Sequence, residues 1–335
     1  MLGYIFRRLF FLVFVILGIS VVLFTINYLL PGDPAEVAAG WQAKPEQVEA
    51  IRKRMGLDKP AHIQYLTYMR NLLRGDLGTS ILSHRPVLLD IKAYLPASLE
   101  LCIAAMLLNV LIGFPLGVFS ALRPGRLVDT ISRLFSTLGM GMPLFWVGLL
   151  GQLVFSHKLN LLPFGGRLTT GALPPDTVTG FYTIDALLAR DLPLFKDALV
   201  HLLMPAAVLA LPEAAVISRL TRSSMLDVLS QDYIRTARAK GLAERRVVWV
   251  HALKNAFLVP LTMMGMQIGW MLGGSLLVES VFSWAGLGFF AYHGIYMRDF
   301  PVIMGFTLIM TSFFVFSNLL VDILYHYIDP RISTE

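Results

Sequence analysis

The stretch LCIAAMLLNVLIGFPLGVFSAL, Leu101 to Leu122, holds 22 residues and no charged side chain. As a helix it reaches about 33 Å, enough to cross the roughly 30 Å hydrocarbon core of a bilayer. Five more uncharged runs flank it: Leu9 to Leu30, Leu134 to Ser156, Leu199 to Pro212, Phe257 to Val278 and Val302 to Val321. The run from Leu199 is short and is read as extending through Glu213 to Ile217. The first run ends at Tyr28-Leu29-Leu30-Pro31, with no small-residue cleavage site, so it reads as a retained helix rather than a signal peptide. The expectation is an all-α, polytopic membrane protein with six transmembrane helices.

Composition agrees. Of 335 residues, 15% are charged and 56% are hydrophobic, which excludes both an ordinary cytosolic enzyme and a disordered chain. The single cysteine, Cys102, forms no intrachain disulfide and says nothing of redox compartment.

Basic residues orient the spans, because Lys and Arg in short loops stay in the cytoplasm. Loop 123–133 carries Arg123, Arg126 and Arg133; loop 218–257 carries eight basic residues, Arg219 through Lys254. Both are expected to be cytoplasmic, with loops 157–198 and 279–300 outside and both termini in the cytoplasm. This bias accounts for the net charge of +6, so no nucleic-acid partner is called for.

The organisation expected is a cytoplasmic N-terminus and first span over 1–30, a periplasmic loop over 31–98, and a core over 99–335. In the long loop Val48, Ile51 and Met55 recur at helical spacing before Gly56, and Ile63, Leu66, Met69 and Leu73 before Gly75. Two amphipathic helices follow, either lying on the membrane or serving as a docking platform. Loop 157–198, with Gly165-Gly166, Pro174-Pro175 and Gly180, reads as turns.

Catalytic chemistry is missing from the pattern. No Gly-Lys pair is present for a phosphate loop, the seven histidines show no metal-ligand spacing, and Cys102 reads as a small buried hydrophobe. The chain is therefore expected to have no catalytic residue, metal or bound cofactor. Glu100, Glu213, Glu279 and Asp322 fall near span ends, where capping is the ordinary role; this argues against a self-contained ion-coupled transporter or channel.

Bent, closely packed helices are expected at Gly113 and Gly117 around Pro115, and at Gly139, Gly141 and Pro143. Gly265, Gly269 and Gly273 form a stripe on the fifth span, expected to face protein. Gln267 lies about 200° away, with Met263, Trp270 and Met271 on or beside its face. An amide in lipid is costly, so Gln267 either hydrogen-bonds another helix or lines a wet pathway; both readings stand at this point. The second assigns Met263, Gln267, Trp270 and Met271 to a translocation pathway.

In the basic loop, Asp232-Tyr233-Ile234-Arg235-Thr236-Ala237-Arg238-Ala239-Lys240-Gly241-Leu242 reads as a docking helix ending at Gly241, with Leu226, Leu229, Tyr233 and Ala237 as its apolar stripe. A second helix opens at Glu244 and runs through Trp249 and His251 into span five, so force on the first is transmitted into the membrane. The loop resembles that of the inner-membrane permease subunits of binding-protein-dependent ABC importers, matching at Ala237 and Gly241 and departing where Arg235 replaces a glutamate and at His251-Ala252-Leu253. Those departures look like the peptide-importing branch. So do Pro31-Gly32-Asp33-Pro34, Gly75-Asp76-Leu77-Gly78-Thr79-Ser80, Glu279-Ser280-Val281-Phe282-Ser283-Trp284, Gly286-Leu287-Gly288 and Arg298-Asp299-Phe300-Pro301, with Val321-Asp322 and Asp329-Pro330-Arg331-Ile332 at the end. Gly166-Arg167, Thr179-Gly180-Phe181 and Ile184-Asp185 look like the dipeptide branch, B-type permease.

The resemblance implies a non-catalytic subunit of the bacterial inner membrane, importing dipeptides or short oligopeptides. Nickel, a haem precursor or another small solute is the alternative cargo. It further implies a second, C-type permease, two ABC ATPase subunits that hold ATP and Mg, a periplasmic substrate-binding protein and surrounding lipid. Residues Asp232 to Leu242 become the ATPase-coupling element by the same resemblance.

Overall fold

The computed structural model describes residues 2–29, 33–40 and 42–328. Pro31, Gly32 and the Asp329 to Ile332 motif lie outside them, as do the side chains of Val321 and Asp322. In the first half of the chain the helices are α1 (Leu2–Leu29), α2 (Pro34–Ala39), α3 (Pro45–Met55), α4 (Ala61–Leu73), α5 (Val87–Leu122), α6 (Leu127–Gly141) and α7 (Leu144–Gly151). Then come α8 (Tyr182–Leu188), α9 (Leu192–Leu229), α10 (Asp232–Ala239), α11 (Glu244–Arg246), α12 (Leu253–Ala256), α13 (Leu258–Val281), α14 (Leu287–Tyr296) and α15 (Phe300–Ile328). π-Helical turns over Gln152–Lys158 and Val247–Ala252 extend α7 and join α11 to α12. One isolated bridge, Thr79 to Pro86, is the sole β pairing among the described residues.

Among the described residues four helices, α5, α9, α13 and the Phe300–Leu319 part of α15, are long and apolar enough to cross a membrane. The third run, where Gly139, Gly141 and Pro143 predict a bend, turns by 109° between α6 and α7. The cause is local: Pro143 bars helix at the residue before it, and Met142 is extended at φ −95° and ψ 132°. The first apolar run lies within α1 except for its last residue.

The chain divides into two units. One comprises Met1–Pro96 with Ala285–Phe316. Its α3 begins at Pro45, where the Lys44 N–H donates to the Gln47 side chain, and ends at Gly56 in the left-handed region, φ +70°. Both amphipathic helices expected from the spacing are present as α3 and α4, preceded by the short α2 that Asp33 caps. Two motifs far apart in sequence meet here: the Ser80 hydroxyl donates to Asp299 at 2.6 Å, and the Leu82 N–H joins it at 3.1 Å. The same fully buried carboxylate caps the start of α15, and a Cβ at Gly78 would touch Pro301 at 3.4 Å.

The second unit comprises Ala97–Trp284 with Ser317–Glu335. Its centre is the approach of α5 to α9. A Cβ at Gly113 would come within 2.6 Å of the Ala214 carbonyl oxygen, and one at Gly117 within 2.6 Å of the Ser218 carbonyl oxygen. Both spacings are four residues, so small groups face each other on successive turns and the backbones close in. Gly139 of α6 meets Ala215 on the adjoining face, whereas Gly141 meets nothing within 4 Å. α9 runs unbroken through Pro205 and Pro212 for 38 residues, a turn or more beyond the expected span at each end.

Candidate functional site

Local packing builds the basic hairpin. Here α10 is an eight-residue helix whose Ile234 and Ala237 are buried against Val118 and Ala121 of α5, Met225 of α9, and Val247, Val248, Ala252 and Ala256. The expected stripe is thereby corrected at one position. Ile234 is the anchor at 0% exposure, while Tyr233 is 43% exposed and its hydroxyl accepts from the Asn255 amide at 2.8 Å. A break at Ser230 and Gln231 after α9 rotates α10 relative to the continuous helix that the spacing suggested.

Gly241 turns the chain at φ +79°; its N–H bonds the Arg238 carbonyl, and the Leu242 N–H bonds that of Ala237. Arg238 then spans the turn to Glu244 with two hydrogen bonds, 2.7 and 3.1 Å. That bond holds the Glu244 carboxyl below its ordinary value. Asp232, Arg235, Thr236, Ala239 and Lys240 face outward. One side of the hairpin is thus anchored in the ends of α5, α9 and α12, and the other is polar and open.

Within the apolar part of the unit, Gln267 is 1% exposed. Its Oε1 accepts from Asn109 of α5 at 2.8 Å and its Nε2 donates to the Glu213 carbonyl of α9 at 3.1 Å. One amide thereby ties three helices together. Met271 shares the buried face, Met263 is half-buried, and Trp270 is 64% exposed, so the four residues do not form a single surface. Of the glycine stripe, Gly269 is buried, but a Cβ at Gly273 would meet nothing within 4 Å. The face of α13 that packs within this chain is Pro260, Met264, Gln267, Met271, Ser275 and Val278.

The opposite end of the unit holds a polar cluster that spacing did not reveal. Arg167, from the loop after the π turn, pairs with Glu100 at 2.6 Å and donates to the Gly180 carbonyl at 2.9 Å. Its guanidinium lies over the Tyr182 ring at 3.5 Å, and Thr183 supplies two more bonds to Glu100. Glu100 is therefore not an end cap; it sits 13 residues inside α5. Asp185 organises the same loop, accepting from Val178, Thr179 and Gly180. Burial pushes its carboxyl up, but these bonds outweigh burial and hold it below the ordinary carboxylate value. Glu279 is fully buried and accepts from Ser98 at 2.6 Å, and the Trp284 indole N–H reaches the Ala97 carbonyl at 2.9 Å. Asn109 is the lone amide in its run, but nothing in the sequence pairs it with Gln267; Glu100 and Arg167 are 67 residues apart with no pattern joining them.

Long apolar helices, three of them tied together by one buried amide, define a multi-pass membrane protein. The chain belongs to the family described as binding-protein-dependent transport system inner membrane component, whose model matches residues 113–334. The N-terminal model of such membrane components matches residues 1–101. A probable D,D-dipeptide transport system permease protein, DdpB of Escherichia coli K12, is 44% identical over 98% of this chain and 96% of its own length. The di/tripeptide transport system permease DppB of Pseudomonas aeruginosa UCBPP-PA14 is 43% identical over 100% of both chains. The fold resembles a chain solved in inward-facing conformations of the MetNI methionine ABC transporter, with TM-score 0.51 and 15% identity over 70% of this chain and 93% of that one. The protein is thus a multi-pass inner-membrane component of a binding-protein-dependent system.

Proposed function

We propose that this chain forms half of the transmembrane pathway of an ATP-driven importer of dipeptides or short oligopeptides. The observation that carries the reading is the hairpin of α10 and α11, anchored by Ile234 and Ala237 and open on its polar side. A push on that side by an ATPase subunit moves α9 and α12 together, since both pack on the same cluster, and a rigid-body shift of helices is how such bundles switch access. Residues Asp232 to Leu242 are the coupling element in this reading. A C-type permease, two ATPases holding ATP and Mg and a periplasmic binding protein complete the machine. The peptide class is supported by the names of the relatives at 43% and 44% identity.

In this reading the chain crosses six times with both termini in the cytoplasm. Single cysteines at Lys44 or Asp176, in a Cys102→Ala background, react with an impermeant thiol reagent in intact cells, and one at Arg238 does not. The opposite labelling pattern inverts the topology.

Met263, Gln267, Trp270 and Met271 are proposed to border the pathway, Trp270 by direct exposure and Gln267 and Met271 from behind it. Gln267→Leu takes from the buried Asn109 amide its oxygen acceptor, leaving only the Met106 sulfur at 3.6 Å and costing about 1–3 kcal/mol, whereas Asn109→Leu with Gln267→Leu removes both amides at lower cost. Thermal unfolding of the purified complex measures this. Crosslinking by a photoreactive dipeptide separates the roles: labelling at Trp270 supports the pathway, and its absence in an assembled, active complex moves the pathway off α13.

A further inference from the structure

Where α6 and α9 carry their charged residues they enclose a cavity of about 630 Å³ lined by Arg133, Arg219 and Arg222. Ser136, Thr137 and Ser223 add hydroxyls, and Met140 with Gly141 close the far end. Two of the guanidiniums share one carboxylate: Asp129 lies 2.6 Å from Arg222 and 3.9 Å from Arg133. Arg222 is fixed in place, because Asp129 is itself held by the Ser120 hydroxyl at 2.7 Å and the Gly125 N–H at 2.9 Å. Arg219 has no carboxylate partner among the described residues, and the Arg133 side chain is 60% exposed. The cavity is therefore short of negative charge.

Its shape adds a second requirement. From Arg133 to Met140 is two turns of α6, about 10 Å, along which the wall passes from guanidinium and hydroxyl to thioether. Leu134 and Leu138 lie exposed on the same helix beside it. A soluble anion uses the charged end only; an amphiphile uses both. At the ends of membrane spans the available amphiphile with a phosphate is the phospholipid, and Arg forks suit phosphate oxygens.

We infer that this cavity binds an anionic phospholipid, its phosphate between Arg133 and Arg219 and an acyl chain along Leu134, Leu138 and Met140. Arg222, already paired, sets the floor and is not an independent ligand. The site needs only the membrane placement of the chain and does not depend on which cargo is carried.

The test is native mass spectrometry of the full-length chain released from mixed phosphatidylcholine and phosphatidylglycerol micelles. The parent retains phosphatidylglycerol in preference to phosphatidylcholine. Arg133→Gln with Arg219→Gln lowers that retention by roughly tenfold or more, while Arg70→Gln, on exposed α4, leaves it unchanged. Arg219→Gln alone, which breaks no ion pair among the described residues, gives a partial loss and guards against misfolding of the double variant. Equal retention by parent and double variant overturns the proposal. So does displacement of the lipid by inorganic phosphate or by a dipeptide, either of which identifies a site for soluble anions.

Discussion

Gly241→Pro should abolish uptake while the chain still inserts and assembles. At φ +79° Gly241 occupies backbone space closed to proline, whose ring holds φ near about −65°, and proline also deletes the N–H bonded to Arg238. A penalty of about 3 kcal/mol on the turn corresponds to roughly a hundredfold loss of the native hairpin. Gly241→Ala keeps the N–H and faces open space, so it suffers only the left-handed cost of about 1–2 kcal/mol and a loss of roughly tenfold. Arg238→Ala removes an exposed ion pair and should be milder still. Uptake of a radiolabelled dipeptide, normalised to permease in the membrane fraction, reads all three. Normal uptake by correctly inserted Gly241→Pro removes the hairpin from the mechanism.

Arg167→Met should be the most destabilising single change among those considered. It strands the Glu100 carboxylate, 3% exposed, with only the two bonds from Thr183, and removes the cation from the Tyr182 ring. Breaking a buried pair on one side costs about 3–5 kcal/mol, because the remaining charge stays desolvated. Adding Glu100→Gln should recover much of that loss, since a neutral amide still accepts from Thr183 and carries no charge to desolvate. Thermal unfolding of the purified chain at low and high salt measures both, and the deficit should be insensitive to salt, as burial shields the pair from counterions. Equal stability of the single and double variants would show that the pair is not coupled.

The helical, membrane-embedded character of this protein was legible in runs such as Leu101 to Leu122, because hydrophobic length is a property of consecutive residues. Helix ends followed the same logic wherever the stop signal is local, as at Gly56 and at Gly241. Glycines 113, 117 and 139 announced close approach, but only packing shows that Ala214, Ser218 and Ala215 receive it. Local pattern misled where side-chain direction depends on a break in the helix. The two residues between α9 and α10 turned Tyr233 outward and Ile234 inward. The partners of the buried polar groups lay beyond sequence reading altogether. Gln267 meets Asn109 across 158 residues, Ser80 meets Asp299 across 219, and Arg167 meets Glu100 across 67. Spacing along the chain determines which face of a helix is apolar; which polar atom waits on the neighbouring helix is set by how the helices pack, and that the tertiary structure alone decides.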